Sequence, residues 1–240
     1  MRVTMAQLNP IVGDVDGNVG AILDTLHIAA SDNADLVVFP EMIVTGYPPK
    51  DLLEFPGFLS RVDDGLAKIK DASTNFPTLG IVLGAPTPTG LPDGKALYNT
   101  AFLIANGRVN STQSKMLLPT YDVFDEPRYF RPAPDNDVTV FKNEKLGISV
   151  CEDFWNEPDP FNRRRYPRDP IEMLAKKGAT LMVNISASPF SVGKEEVRYR
   201  LIRDHALAHG IGFISVNQVG GNDDLVFDGT SLFVDKNGDA

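Results

Sequence analysis

The residue with the most chemistry to offer is Cys151, the only cysteine in the chain. It stands at the exit of an apolar run, Leu146-Gly-Ile-Ser-Val150, and leads into the polar and aromatic Glu152-Asp-Phe-Trp155. A lone cysteine can serve as a small buried hydrophobe. A side chain at a sharp strand exit, however, is lifted out of the sheet into a cleft, the mechanical logic of a nucleophile elbow. A thiol in that position needs a base or a nearby cation to become reactive. The three histidines, His27, His205 and His209, all lie in stretches with helical patterning. His205 and His209 could share a helix face, yet no third ligand completes a zinc pattern, and no metal site is expected. Glu41 is the better base, because it closes the apolar run Leu36-Val-Val-Phe-Pro40 and so lies where burial can act on a carboxylate. Lys115 precedes Met116-Leu-Leu-Pro119, and its local sequence leaves it an ordinary solvated lysine.

Alternating elements must carry these residues. Val3 to Leu8 reads as a strand, Asn18 to Asn33 as a helix with Ile22, Leu26 and Ala29 on one face, and Asp35 to Glu41 as a strand buried on both faces. A helix over Phe58–Ala72 and a strand over Leu79–Gly84 follow. Ala96–Ile104 and Gly107–Ser114 read as a hairpin around Asn106-Gly107. Lys145–Val150 is a strand that delivers Cys151. Ile171–Lys177 and Glu195–His209 read as helices, and Ala179–Ile185, Ile211–Asn217 and Thr230–Val234 as strands. The pattern implies an α/β domain with mixed sheets. Lys236-Asn-Gly238 reads as a hairpin turn whose returning strand would lie past residue 240, so a domain cut short at its C-terminus is expected.

A chain of 240 residues suits one α/β domain, taken here as 1–240. The net charge of −9 argues against nucleic acid or an anionic membrane as the main partner. No segment reads as a signal peptide or membrane span. A single cysteine cannot form an intrachain disulfide and fits a reducing cytoplasm.

Several motifs together resemble the nitrilase superfamily of carbon-nitrogen hydrolases. Phe39-Pro-Glu41, Lys115 before Leu118-Pro119, and Cys151-Glu-Asp-Phe-Trp155 are similar to its Glu-Lys-Cys signature. Within that superfamily the similarity is strongest to glutaminase domains of glutamine-dependent NAD synthetases. It rests on Thr45-Gly-Tyr-Pro-Pro-Lys-Asp-Leu-Leu53, Leu118-Pro-Thr-Tyr-Asp-Val-Phe-Asp-Glu-Pro-Arg-Tyr-Phe130, Asn184-Ile-Ser-Ala-Ser-Pro-Phe190 with Gly193-Lys194, and Val219-Gly-Gly-Asn-Asp-Asp-Leu-Val-Phe-Asp228.

The resemblance implies a four-layer α-β-β-α sandwich that pairs into homo-oligomers. It implies hydrolysis of the L-glutamine side-chain amide, with Glu41 as base, Cys151 as nucleophile and Lys115 as oxyanion donor. It further implies that Tyr47, Tyr121 and Phe124 line the substrate pocket. Glu152, Ser188 and Lys194 would hold the amino-acid end, and Glu126 would orient the lysine. Lys194 keeps the charge a carboxylate needs but lacks the forked geometry of arginine. No cofactor is implied for this domain. ATP, Mg and deamido-NAD would belong to a synthetase domain, whose Ser-Gly-Gly-x-Asp-Ser loop is absent from residues 1–240. A stand-alone amidase for another small amide is the nearest alternative, and a silent scaffold domain the other. The segment Arg163–Arg168, within a basic, proline-punctuated stretch that begins at Asn162, reads as a solvated surface loop.

Overall fold

The computed structural model describes residues 1–156 and 163–240. Two five-stranded sheets stack face to face, and helices cover the outer face of each. The first sheet has the order β1 (Val3–Met5), β2 (Leu36–Val38), β3 (Gly80–Pro88), β4 (Leu97–Ala105), β5 (Arg108–Ser114). β1, β2 and β3 run parallel, while β3, β4 and β5 are antiparallel neighbours. In the second sheet β6 (Thr139–Phe141), β7 (Glu144–Val150), β8 (Leu181–Ser186) and β9 (Gly212–Asn217) are followed in space by β12 (Leu232–Val234). Its three central strands are parallel and its two edge strands antiparallel. A separate hairpin joins β10 (Val219–Asn222) to β11 (Leu225–Asp228).

Strand alternation explains the layering. Leu36 and Val38 of β2 face inward against Leu146, Ile148 and Val150 of β7 and Val183 and Ile185 of β8. Val37 points the other way, toward the helices α1 (Val15–Ser31) and α2 (Pro56–Ala72), where it joins Ile22, Leu26, Val62 and Ile69. On the opposite side α3 (Pro170–Lys176) and α4 (Lys194–His209) bury Ile171, Leu174, Leu201 and Ile202 against Met182 and Phe213. Successive strand residues serve different layers, as the two-residue period requires. The expected α-β-β-α sandwich with mixed sheets is the observed fold.

The element boundaries differ from the expectation where side chains intervene. α1 starts at Val15 because the Asp14 carboxylate caps it, accepting from the Gly17 N–H at 3.0 Å. α3 is capped likewise by Asp169, which accepts from the Glu172 N–H at 3.0 Å. The strand expected over Asp35–Glu41 ends at Val38, so Glu41 lies beyond it in a turn rather than at a strand terminus. β6 and the β10–β11 hairpin carry too little apolar alternation to be read as strands. Among the described residues no helix is long and apolar enough to cross a membrane.

Candidate active site

The buried charges converge at one place. Glu41, Lys115, Glu126, Cys151 and Glu152 are each at most 5% exposed. The Lys115 ammonium donates to Glu41 Oε1 at 2.9 Å and to Glu126 Oε1 at 2.6 Å. Asn99 Nδ2 donates to the same Glu41 oxygen at 2.6 Å, and the Ala187 N–H donates to Oε2 at 2.9 Å. The Tyr47 hydroxyl donates to Glu126 Oε1 at 2.9 Å. Each carboxylate is thus pinned by donors from other parts of the chain, which holds a buried charge in one orientation.

The backbone brings these groups together by close approach. Gly84 on β3 faces the turn that carries Glu41. A Cβ at this glycine would lie 2.4 Å from the Met42 nitrogen and 2.9 Å from the Glu41 Cα. Gly84→Ala should therefore push the turn outward and destabilise the fold by about 1–3 kcal/mol. A lower urea midpoint with an unchanged slope would show it, and an unshifted midpoint would mean that the turn is free to yield.

Cys151 follows β7 directly and takes φ 42°, in the left-handed region that a non-glycine residue seldom occupies. A 3-10 turn over Cys151–Phe154 follows. Asp153 anchors that turn, its carboxylate accepting from the N–H groups of Val150 at 3.0 Å and of Met116 and Leu117 at 2.9 Å each. One side chain thereby ties the strand before Cys151 to the segment after Lys115.

The electrostatics follow from burial and these contacts. Burial pushes the Cys151 thiol well above its usual range, and the Glu41 carboxylate adds to this while Lys115 opposes it. The cysteine is therefore a thiol at neutral pH, and a base must take its proton as it attacks. Burial alone would lower Lys115, but Glu126 and Glu41 outweigh it and keep the ammonium charged. Burial raises Glu126 to about 7 against the opposing pull of Lys115, with Glu41 adding to the rise.

The residues expected to bind substrate fall into two groups. Glu152 accepts from the Tyr121 hydroxyl at 2.8 and 3.0 Å and from the Tyr166 hydroxyl at 2.9 Å. The Lys194 ammonium donates to the Pro189 carbonyl at 2.9 Å and lies 5.4 Å from the centre of the Trp155 ring. Burial lowers Lys194, and the Glu152 charge acts on it in the other direction. Ser188 is buried, with its backbone N–H and carbonyl both bonded to the Asn217 side chain. Tyr47 and Glu126 wall a cavity of ≈ 140 Å³ together with Phe124, Tyr129, Phe130 and Leu225. Phe124 meets Tyr121 edge-on, with ring centres 5.6 Å apart.

Asn99, Asp153, Tyr166 and Asn217 escaped the sequence reading. Asn99 could have been suspected as an amide inside the largely apolar strand β4. The basic segment is exposed as expected at Arg163, Arg164, Arg165, Pro167 and Arg168, while Tyr166 turns inward. Tyr166 and Arg168 dock through their carbonyls on Asn156 Nδ2 at 3.1 and 2.6 Å, and Arg165 stacks on Tyr121 at 3.9 Å. It packs against the site because its tyrosine reaches a buried carboxylate; residues 157–162, including Asn162, lie outside the described residues. No cluster of potential metal ligands occurs among the described residues.

A fold of this kind around a Glu-Lys-Cys cluster defines a class. The carbon-nitrogen hydrolase family model matches residues 2–240, and the chain belongs to that family. The glutamine-dependent NAD(+) synthetase of Synechocystis sp. is 40% identical over 98% of this chain and 42% of its own length. That of Thermotoga maritima is 36% identical over 100% of this chain and 39% of its own. The solved glutamine-dependent NAD+ synthetase from Acinetobacter baumannii superposes with a TM-score of 0.85 at 32% identity, over 98% of this chain and 41% of that one. An amidase from Nesterenkonia sp. shares the fold with a TM-score of 0.84 at 24% identity, over 99% of this chain and 83% of its own. The chain spans about two fifths of the length of the synthetases it matches.

Proposed function

We propose that this chain is a glutaminase domain, hydrolysing the side-chain amide of L-glutamine and delivering ammonia to a synthetase domain that amidates deamido-NAD with ATP. The observation that carries the reading is a buried carboxylate next to the nucleophile: Glu152 follows Cys151 in the chain and is held by the Tyr121 and Tyr166 hydroxyls. The half-buried Lys194 ammonium supplies a charge of the opposite sign. In this reading the two receive the ammonium and the carboxylate of a free amino acid whose amide reaches the thiol.

In this reading Glu41 removes the Cys151 proton as sulfur attacks the amide carbon. The oxyanion forms against Lys115 and the N–H that follows Cys151, where one such donor is worth ~3 kcal/mol. Collapse breaks the C–N bond, the proton held by Glu41 passes to the leaving nitrogen, and ammonia departs from a thioester. Water then gives a proton to Glu41 and attacks the thioester carbon, releasing glutamate and restoring the thiol. Glu126 and Tyr47 hold Lys115 in place throughout. Tyr121 supports Glu152, Phe124 packs beside Tyr121, and Ser188 shapes the loop beside Lys194. The chemistry draws on these side chains and one backbone N–H; ATP, Mg and deamido-NAD belong to the synthetase half. A cytoplasmic, homo-oligomeric setting fits this reading.

Release of glutamate and ammonia from L-glutamine, compared with Cys151→Ala, tests it. Turnover by the parent that vanishes in the variant is expected. Hydrolysis of small aliphatic amides without hydrolysis of L-glutamine would instead favour a stand-alone amidase.

A further inference from the structure

Arg165 is placed unlike the other cations around Cys151. Lys115 is buried between two carboxylates, and Arg198 is buried with bonds to Asp228 Oδ1 at 3.2 Å and the Gly229 carbonyl at 3.1 Å. The Arg165 side chain is 53% exposed. Its Nη1 lies 3.7 Å from Glu152 Oε1, inside ion-pair range but past hydrogen-bond reach. Its guanidinium rests on the Tyr121 ring at 3.9 Å. Both contacts are of the exposed, weak kind that exchange readily. Glu152 itself is 3% exposed and is held by the two tyrosine hydroxyls. Two hydroxyl donors supply no positive charge; Lys115 and Arg165 both act on this buried carboxylate, and of the two it is Arg165 that lies within ion-pair range.

We propose that Arg165 is a displaceable counter-ion for Glu152, exchanged for the α-ammonium group of the incoming amide. The inference rests on the reading of Glu152 as the ammonium subsite and adds a specificity-determining residue to it. An amide with a cation at the right distance replaces Arg165, and the guanidinium moves off into solvent. An amide without one leaves the ion pair intact and gains nothing from Glu152. Arg165 therefore lowers affinity for every ligand bearing the ammonium group, and it keeps Glu152 neutralised until such a ligand arrives. Tyr121 serves both states, since its ring carries the arginine and its hydroxyl fixes the carboxylate.

The test compares two ligands on this chain in a Cys151→Ala background, where no turnover occurs. One is L-glutamine; the other is glutaramic acid, which has the same amide and carboxylate but no amine. Dissociation constants are read from the fluorescence of Trp155, the only tryptophan in the chain. Arg165→Met should tighten L-glutamine by about fivefold, which is ~1 kcal/mol for one exposed ion pair at ~1.4 kcal/mol per tenfold. It should not tighten glutaramic acid. Arg165→Lys, which keeps the charge without the planar stack, should fall between parent and methionine. Equal tightening of both ligands, or unchanged or weaker L-glutamine, would overturn the proposal. If L-glutamine is hydrolysed by the parent while its Kd ignores Arg165, the proposal fails and the glutaminase reading stands. If the Kd shifts as expected but the parent hydrolyses nothing, the counter-ion exchange stands and the glutaminase reading fails. Binding of neither ligand would overturn both.

Discussion

Glu41→Gln should lower kcat/KM for L-glutamine by about 10²–10⁴, the usual worth of one positioned base, in a protein that still folds. The glutamine carbonyl oxygen can go on accepting from Asn99 Nδ2 and Lys115 Nζ, as Oε1 does now. Its amide nitrogen must then face the Ala187 N–H that now donates to Oε2, and two donors meet. An unsatisfied buried N–H costs about 1–3 kcal/mol, which a domain stable by ~5–15 kcal/mol survives. Alkylation of Cys151 by iodoacetamide separates the roles of Glu41. Burial and the Glu41 charge both push the thiol up, so removing that charge leaves more thiolate facing Lys115 at a given pH. Alkylation needs only thiolate, whereas amide hydrolysis also needs a proton carried to the leaving nitrogen. Turnover should therefore collapse while alkylation holds or quickens. A parallel fall in both would mean that the thiol had been displaced, and unchanged turnover would remove Glu41 from the role of base.

Two residues of the proposed chemistry, Glu41 and Cys151, stood out for a common reason. Each closes a short apolar run, and a charged or reactive side chain in that setting is anomalous enough to be noticed. Even so, Lys115 needed the surrounding motifs, because its partners Glu41 and Glu126 lie 74 and 11 residues away in sequence. What holds the site was less legible. Asn99 lies between Tyr98 and Thr100 on β4, and its meaning appears only when the fold brings it to Glu41. Asp153 works through three backbone N–H groups, two of them in a distant segment, and spacing does not encode such contacts. The β10–β11 hairpin is glycine-rich and polar, with little alternation to mark it, yet its Phe227 packs edge-on against Tyr47 at 6.4 Å. Arg163–Arg168 is the exposed charge run its composition implies, but local composition does not reveal that Tyr166 within it finds a buried carboxylate. The layers follow from periodicity, which is local. The orientation of the catalytic groups follows from long-range polar contacts, which are not.

Lys115→Met has the largest expected effect on the fold itself. Glu41 and Glu126 both give their Oε1 to this ammonium while being almost fully buried, and removing one partner of such a cluster costs about 3–5 kcal/mol. The loss should depend on pH in an unusual direction. Burial already raises Glu126 from 4.5 to about 7, with Lys115 pulling the other way. A carboxyl whose folded pKa is raised binds its proton more tightly in the native state. Its contribution is full below the unfolded value and is lost as pH rises through the folded one. Without Lys115 only the Tyr47 hydroxyl still opposes burial at Glu126, so the folded value climbs further and the charged form becomes more costly. Urea midpoints of Lys115→Met should lie nearest the parent at about pH 5 and fall steadily behind by about pH 8. Adding Glu126→Gln should recover part of the deficit at the higher pH, since a neutral amide has no charge to desolvate. A deficit that shrinks as pH rises would contradict the assignment of Lys115 as the counter-ion of two buried carboxylates. The expected trend would show that the oxyanion donor of the proposed reaction also neutralises the interior of the fold, which ties the charge state of the catalytic cluster to the stability of the whole domain.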